Sequence, residues 1–216
     1  MKPAPLLEAV TVDGFGTLVC LDNPLPRLQA ALRDLGVEAD RDQLAAAFRA
    51  EVHHYRPRSH EGRDRASLDA LRRSCVAIFL GELGSDLAPD AFLEAFMGAL
   101  EFDVVPGARR SLEELRRLGL KLACVANWDI GLHAELERLE LAELFDVVLT
   151  SADVGAPKPA PLIFEHALIA LDVAASAAVH IGDEQLDCDG AVAAGMRFEP
   201  VPLSTLPARL VGQVSP

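Results

Sequence analysis

The sequence predicts an α/β fold: a Rossmann-like parallel sheet core carrying an inserted, mainly helical cap. Three observations lead there. Apolar runs at 9–12, 120–125, 147–149 and 177–181 are continuous rather than alternating, as in strands buried on both faces. Stretches with helical spacing separate the later runs, which is the rhythm of a parallel sheet covered by helices. The interval 19–103 breaks that rhythm, since its helical patterns follow one another with no strand-like run between them. A chain of 216 residues has room for a core domain with a smaller insertion.

The first strand, Ala9-Val10-Thr11-Val12, runs into Asp13-Gly14. Pro24 and Pro26 then mark a border, and helical patterns follow at 25–35, 43–52, 67–80 and 89–100. Pro106-Gly107 marks the return to the core. Leu112, Leu115 and Leu118 recur at helical spacing, and Gly119 is a helix stop. After the second core strand, Asp129 predicts the N-cap of a helix carrying Leu132, Leu136 and Leu139. A further helix begins after Pro159 and Pro161 and runs through Ile163, Phe164, His166 and Leu168. A weaker strand is read at 197–201. The core is thus expected over 1–18 and 104–216, and the cap over 19–103.

Charge and composition narrow the partners. Twenty Lys plus Arg against 33 Asp plus Glu give a net charge of −13, the wrong sign for displacing counterions from nucleic acid. No apolar run approaches the roughly 20 residues that span a bilayer, which argues against a membrane partner. Met1-Lys2-Pro3-Ala4-Pro5 lacks the pattern of a secretory leader. Cys20, Cys75, Cys124 and Cys188 lie far apart with no C-x-x-C spacing, so structural zinc is not expected and reduced thiols are. These features predict a cytoplasmic protein with neither nucleic acid nor membrane as a partner. They leave the oligomeric state open.

Four strand ends carry chemistry, and in an open parallel sheet ligands bind outside those ends. Val12-Asp13-Gly14-Phe15-Gly16-Thr17-Leu18 places a carboxylate before a glycine-rich loop whose N–H groups can face an anion; the plainer reading is an Asp that caps a turn. In Ala126-Asn127-Trp128-Asp129, Asn127 can donate to a substrate oxygen, whereas Trp128 reads as packing. Lys158, between Pro157 and Pro159, can neutralise a carboxylate and a transferring phosphoryl group, or be a solvated lysine. His180-Ile181-Gly182-Asp183 is followed by Glu184, Asp187 and Asp189, hard oxygen donors that suit Mg²⁺ or form a solvated acidic loop. His180 reads as a core histidine. One loop alone says little; Asp, Asn, Lys and an Asp pair together, each at a strand end, say more.

In that order the sequence resembles the haloacid dehalogenase-like hydrolase superfamily over nearly its whole length. D-G-F-G-T-L is similar to the family's nucleophile loop, V-A-N-W-D to its second motif, G-A-P-K-P-A-P to its lysine loop, and G-D-E-Q-L-D to its acidic motif. The resemblance implies Asp13 as nucleophile and Lys158 as its cationic partner. It implies Gly14, Phe15, Gly16, Thr17, Asn127 and Lys158 around the phosphoryl group, and Mg²⁺ held by Asp13, the Phe15 carbonyl, Asp183 and Asp187. The implied activity is a Mg-dependent phosphatase of a small phosphorylated metabolite.

Two positions depart from the family's phosphatases. Phe15 stands where they carry a second Asp as general acid and base, and Ala126 stands where they carry Ser or Thr. An aromatic residue in that loop is instead similar to the superfamily's metal-independent 2-haloacid dehalogenases, which lack the Gly-Asp of the acidic motif. A dehalogenase needs a positive site for the substrate carboxylate, with His53, His54, Tyr55, Arg56 and Arg58 as candidates or, more plainly, as a solvated helix end. The third alternative is a binding protein on a degenerate hydrolase scaffold.

Overall fold

A computed structural model describes residues 6–214, so the leader expectation for residues 1–5 lies outside the described residues. In chain order the elements are β1 (Ala9–Val12), β2 (Val19–Leu21), α1 (Leu25–Asp34), α2 (Arg41–Tyr55), α3 (Arg65–Glu82), α4 (Pro89–Ala99) and β3 (Phe102–Val104). They continue with α5 (Ala108–Arg117), β4 (Lys121–Ala126), α6 (Gly131–Arg138), β5 (Val147–Thr150), α7 (Ser151–Val154) and α8 (Leu162–Leu171). The last are β6 (Ala178–Gly182), α9 (Gln185–Ala193), β7 (Arg197–Pro200) and α10 (Leu206–Leu210).

Five strands form one parallel sheet in the order β5-β4-β1-β6-β7. Alternate residues of each strand enter opposite cores, which is why the runs are apolar throughout. Val10, Val12, Leu122, Cys124, Val179 and Ile181 pack with Leu112, Leu115 and Leu136 of α5 and α6. Ala9, Ala123, Val125 and Ala178 face Ile163, Phe164, Ala167 and Leu171 of α8. The chain leaves β1 for β4 and β5 on one side, then returns to β6 and β7 on the other. The strand order therefore reverses beside β1, where a crevice opens at the carboxyl ends.

The four helices α1 to α4 have a core of their own, built on Leu28, Leu32, Leu44, Val76, Phe79, Phe92 and Phe96. Three of its aromatics meet pairwise, with centroids 5.2–6.1 Å apart. Asp40 caps α2 by accepting from the N–H groups of Asp42 and Gln43. One feature differs from the sequence reading. Val19–Leu21 and Phe102–Val104 pair antiparallel as a two-stranded ribbon, so the helical stretch is entered and left through adjacent strands. Among the described residues no helix is long and apolar enough to cross a membrane. Cys20, Cys75, Cys124 and Cys188 form no disulfide among the described residues.

Candidate active site

Three adjacent strand ends and one loop converge on Lys158. Asp13 follows β1 and is fixed by its N–H, which donates to the Ile181 carbonyl at 2.9 Å. The Lys158 ammonium donates to Asp13 Oδ1 at 2.5 Å, to Asp187 Oδ1 at 2.5 Å and to the Val125 carbonyl at 3.1 Å. All three of its protons are used, and the lysine is buried. Asn127 holds the lysine loop in place: its Nδ2 donates to the Lys158 carbonyl at 3.0 Å, and its Oδ1 accepts the Lys158 N–H at 2.7 Å. The amide expected to reach substrate is thus engaged first with the backbone of the lysine.

Asp183 completes a group of three carboxylates, with Asp13 and Asp187, whose oxygens lie within 4.8 Å of one another. Gly16 makes this approach possible. It adopts φ +83°, and a Cβ there would stand 2.3 Å from Asp183 Oδ2. Asp187 spends both oxygens locally: Oδ1 on Lys158 and His180, Oδ2 on the Glu184 N–H at 3.1 Å. His180 is the core histidine expected. Its Nδ1 pairs with Thr11 Oγ1 at 2.8 Å, its edge meets Phe164, and burial pushes its pKa down to about 4, so it is neutral.

The charges pull in different directions. Burial pushes the Asp13 carboxyl up to about 7, against the pull of Lys158. Burial also works against ionised Asp187, but the hydrogen bond from His180 and the Lys158 charge bring it down to about 2. Burial, with Asp187 and Glu184 nearby, raises Asp183. Three carboxylates about one ammonium, when all are ionised, leave two negative charges unbalanced, and their hard oxygen donors are of the kind that hold a divalent cation. Asp13 Oδ2 and Asp183 are free to ligate it. The loop's backbone bonds run from Leu18 and Val19 N–H to the Gly14 carbonyl, and from Gly16 N–H to Val19, and so leave the Phe15 carbonyl unengaged.

The remaining candidates divide. Gly14 packs against β4, where a Cβ would meet the Ala126 Cβ at 2.9 Å, so both positions are held small. Thr17 is buried with an unpartnered hydroxyl. Phe15 is half exposed and its ring lies 6.4 Å from Trp128, which packs on Phe102 at 5.1 Å. Asp129 sits one residue before the expected position relative to α6. Its Oδ1 still accepts the Gly131 N–H, but Oδ2 takes the Tyr55 hydroxyl at 2.8 Å. Of the cluster at 53–58, Tyr55 and Arg56 face the site, with Arg56 paired to Glu184. His54 bonds Ser74, Arg58 bonds the His54 carbonyl, and His53 is exposed.

Between these strand ends and α2 to α4 lies a cavity of about 610 Å³. Asp13, Lys158 and Asp183 form its floor, and Leu21, Phe48, Val52, Phe96, Met97 and Leu100 are among its apolar walls. Sequence reasoning missed Glu51, which lines it from α2 and is buried. A signal existed: Leu44, Ala47, Phe48, Glu51 and Tyr55 fall on one helical stripe, so Glu51 occupies an inward position. Burial raises its carboxyl from 4.5 to about 7, and the Cys75 thiol of α3 lies beside it. A folded-state value above the unfolded one stabilises the protein at low pH, and that contribution is lost as the pH rises through about 4.5 to about 7. The melting temperature of Glu51→Gln should therefore gain on that of wild type between about pH 5 and about pH 8. A constant difference across that range would contradict the burial account.

The family model for haloacid dehalogenase-like hydrolases matches residues 7–195. Haloacid dehalogenase-like hydrolase domain-containing protein 3 of Mus musculus is 44% identical over 108 residues, covering 50% of this chain and 43% of that protein. Ribulose-1,5-bisphosphate 5-phosphatase of Halopiger xanaduensis is 40% identical over 116 residues, covering 51% of this chain and 48% of that protein. Both matches span under half the length of the relative. Among solved structures, 2-haloacid dehalogenase from Pseudomonas syringae pv. Tomato DC3000 superposes with a TM-score of 0.65 at 27% identity, covering 96% of this chain and 99% of that one. Matched over most of its length and built on the same parallel sheet, the chain belongs to the haloacid dehalogenase-like hydrolases.

Proposed function

We propose that the chain is a Mg²⁺-dependent phosphatase of small phosphomonoesters, with Asp13 as nucleophile and residues 19–103 as a cap over the site. The observation that carries this reading is the carboxylate group itself: Asp13 on Lys158, with Asp183 brought over Gly16 and two negative charges left for a divalent ion. The phosphatase name of the Halopiger relative supports the same chemistry.

Asp13, Asp183 and the Phe15 carbonyl would hold the ion, while Asp187 positions Lys158. Bound there, Mg²⁺ supplies positive charge to the phosphoryl oxygens. An Asp13 oxygen attacks phosphorus, the bond to the leaving oxygen breaks, and an acyl phosphate forms on Asp13. Water then attacks phosphorus, releasing inorganic phosphate and restoring the carboxylate. Lys158 opposes the burial that raises Asp13 and offsets charge on the transferring group. The Gly14 and Phe15 N–H groups and the Thr17 hydroxyl are the loop's free donors for phosphoryl oxygens.

Phe15 offers no proton to the leaving oxygen, so acidic leaving groups should be favoured. Phe15→Asp is expected to raise kcat on an alkyl phosphate about 10-fold or more, and to change nitrophenyl phosphate turnover little. Equal falls on both substrates would instead make Phe15 a packing residue of the cap face. The second reading, dehalogenation of a short 2-halo acid, is favoured by Phe15 and by likeness to the Pseudomonas structure. Phosphate release from phosphomonoesters and chloride release from 2-chloro acids, each with and without chelator, separate the two. The phosphatase reading expects chelator-sensitive phosphate release. Halide release that survives the chelator would replace it, and no release of either would leave the binding-protein alternative.

A further inference from the structure

The cavity is larger than a phosphoryl group requires, and its volume is that of a small-molecule site. Its charged lining groups are nearly all answered. Lys158 holds Asp13 and Asp187, Arg56 holds Glu184, and Glu135 is paired with Arg138. Arg72 lies over Gly131 beside Asp129, and its charge is felt there. Asp183 is taken up by the cation reading above. Glu51 remains, buried among Phe48, Val52 and Phe96, with a thiol for a neighbour and no ion pair among the described residues.

A carboxyl in that position is costly. Burying an unanswered ionisable group penalises folding, and an apolar side chain would complete the α2 stripe without penalty. Glu51 faces the cavity rather than the core between α1 and α4, so what answers it arrives from the cavity. The surrounding carboxylates set the sign. Seven acidic residues line the space against three basic ones, so a second anionic group on the ligand is repelled and a cationic one is drawn in.

We propose that Glu51 is a specificity-determining residue that binds the cationic amino group of a leaving group whose body is apolar. The substrate class, resting on the phosphatase reading above, is a phosphomonoester of an aminoalkyl phenol, whose phenoxide leaves without the proton that Phe15 does not supply. The apolar walls take the spacer, Glu51 takes the ammonium, and the phosphoryl group is left at Asp13. This class differs from a 2-halo acid, whose one charge is a carboxylate, and from a sugar bisphosphate, which carries a second anion.

Trp128, the one tryptophan of the chain, lines the cavity and reports binding by its fluorescence. Phenethylamine, 2-phenylethanol and phenylacetate are titrated into wild type and Glu51→Gln. In parallel, kcat/KM is measured for 4-(2-aminoethyl)phenyl phosphate and 4-ethylphenyl phosphate. Wild type is expected to favour the amine over its neutral counterpart about 10-fold or more in both assays, as for a charge-assisted hydrogen bond. In Glu51→Gln that ratio falls to about one, with no drop in melting temperature, because the amide removes a buried charge. Equal binding of amine and alcohol by wild type, or an amine preference that survives Glu51→Gln, would overturn the proposal. So would tightest binding of phenylacetate, which would point to Arg72. Amine-selective binding with no phosphate turnover would refute the phosphatase reading alone, and turnover without amine preference would refute the Glu51 assignment alone.

Discussion

Asp13→Asn is expected to lower kcat on an activated aryl phosphate by about 10³-fold or more, the scale of losing a covalent nucleophile. The fold should survive. Asn keeps the shape of Asp, its carbonyl can still accept from Lys158, and Asp187 remains as the lysine's anionic partner. Removing one of three crowded carboxylates also relieves the repulsion that, together with burial, pushes Asp13 up to about 7. Thermal unfolding and turnover should therefore move independently, with melting unchanged or higher while activity disappears. Wild-type turnover in this variant would remove Asp13 as nucleophile; lost activity with a lower melting point would reflect damage to the fold.

Lys158→Met carries the second large effect, and here stability falls as well. The lysine is buried with all three protons on Asp13, Asp187 and Val125. Its loss leaves three carboxylates facing one another, and stranding a buried charge in this way costs about 3–5 kcal/mol. The destabilisation should shrink as the pH falls. Asp13, already held well above the usual carboxylate range, takes up a proton first, and the repulsion goes with it. Denaturant titrations at several pH values check this, and activity should be lost at all of them. A stability loss that did not depend on pH would mean that packing, rather than charge, is what the lysine contributes.

The sheet was legible in the sequence because burial on both faces turns its strands into unbroken apolar runs. The floor of the site was legible for a related reason: Asp13, Asn127 and Asp183 each stand at the carboxyl end of such a run, and Lys158 in the proline loop between α7 and α8. The ribbon of Val19–Leu21 and Phe102–Val104 was not, since three residues are too few to establish a period. The Tyr55–Asp129 bond joins residues 74 apart and the Arg56–Glu184 pair residues 128 apart, and local pattern holds no trace of either. An amide at a strand end reads as facing the ligand crevice, which points Asn127 at substrate; the fold turns it first onto the Lys158 backbone. Glu51 is hidden in the sequence because a charge in a helix reads as a solvent face unless its place on the apolar stripe is counted.

The most direct test of the central claim is to trap the intermediate. An acyl phosphate on Asp13 is reduced by borohydride to homoserine, which peptide mass spectrometry locates. Quenching the protein during turnover of a phosphomonoester with Mg²⁺ and then reducing it should yield homoserine at position 13. The product should be absent without substrate, with chelator, and in Asp13→Asn. Phosphate release at full rate with position 13 unmodified, or with the modification on another carboxylate, would contradict the account.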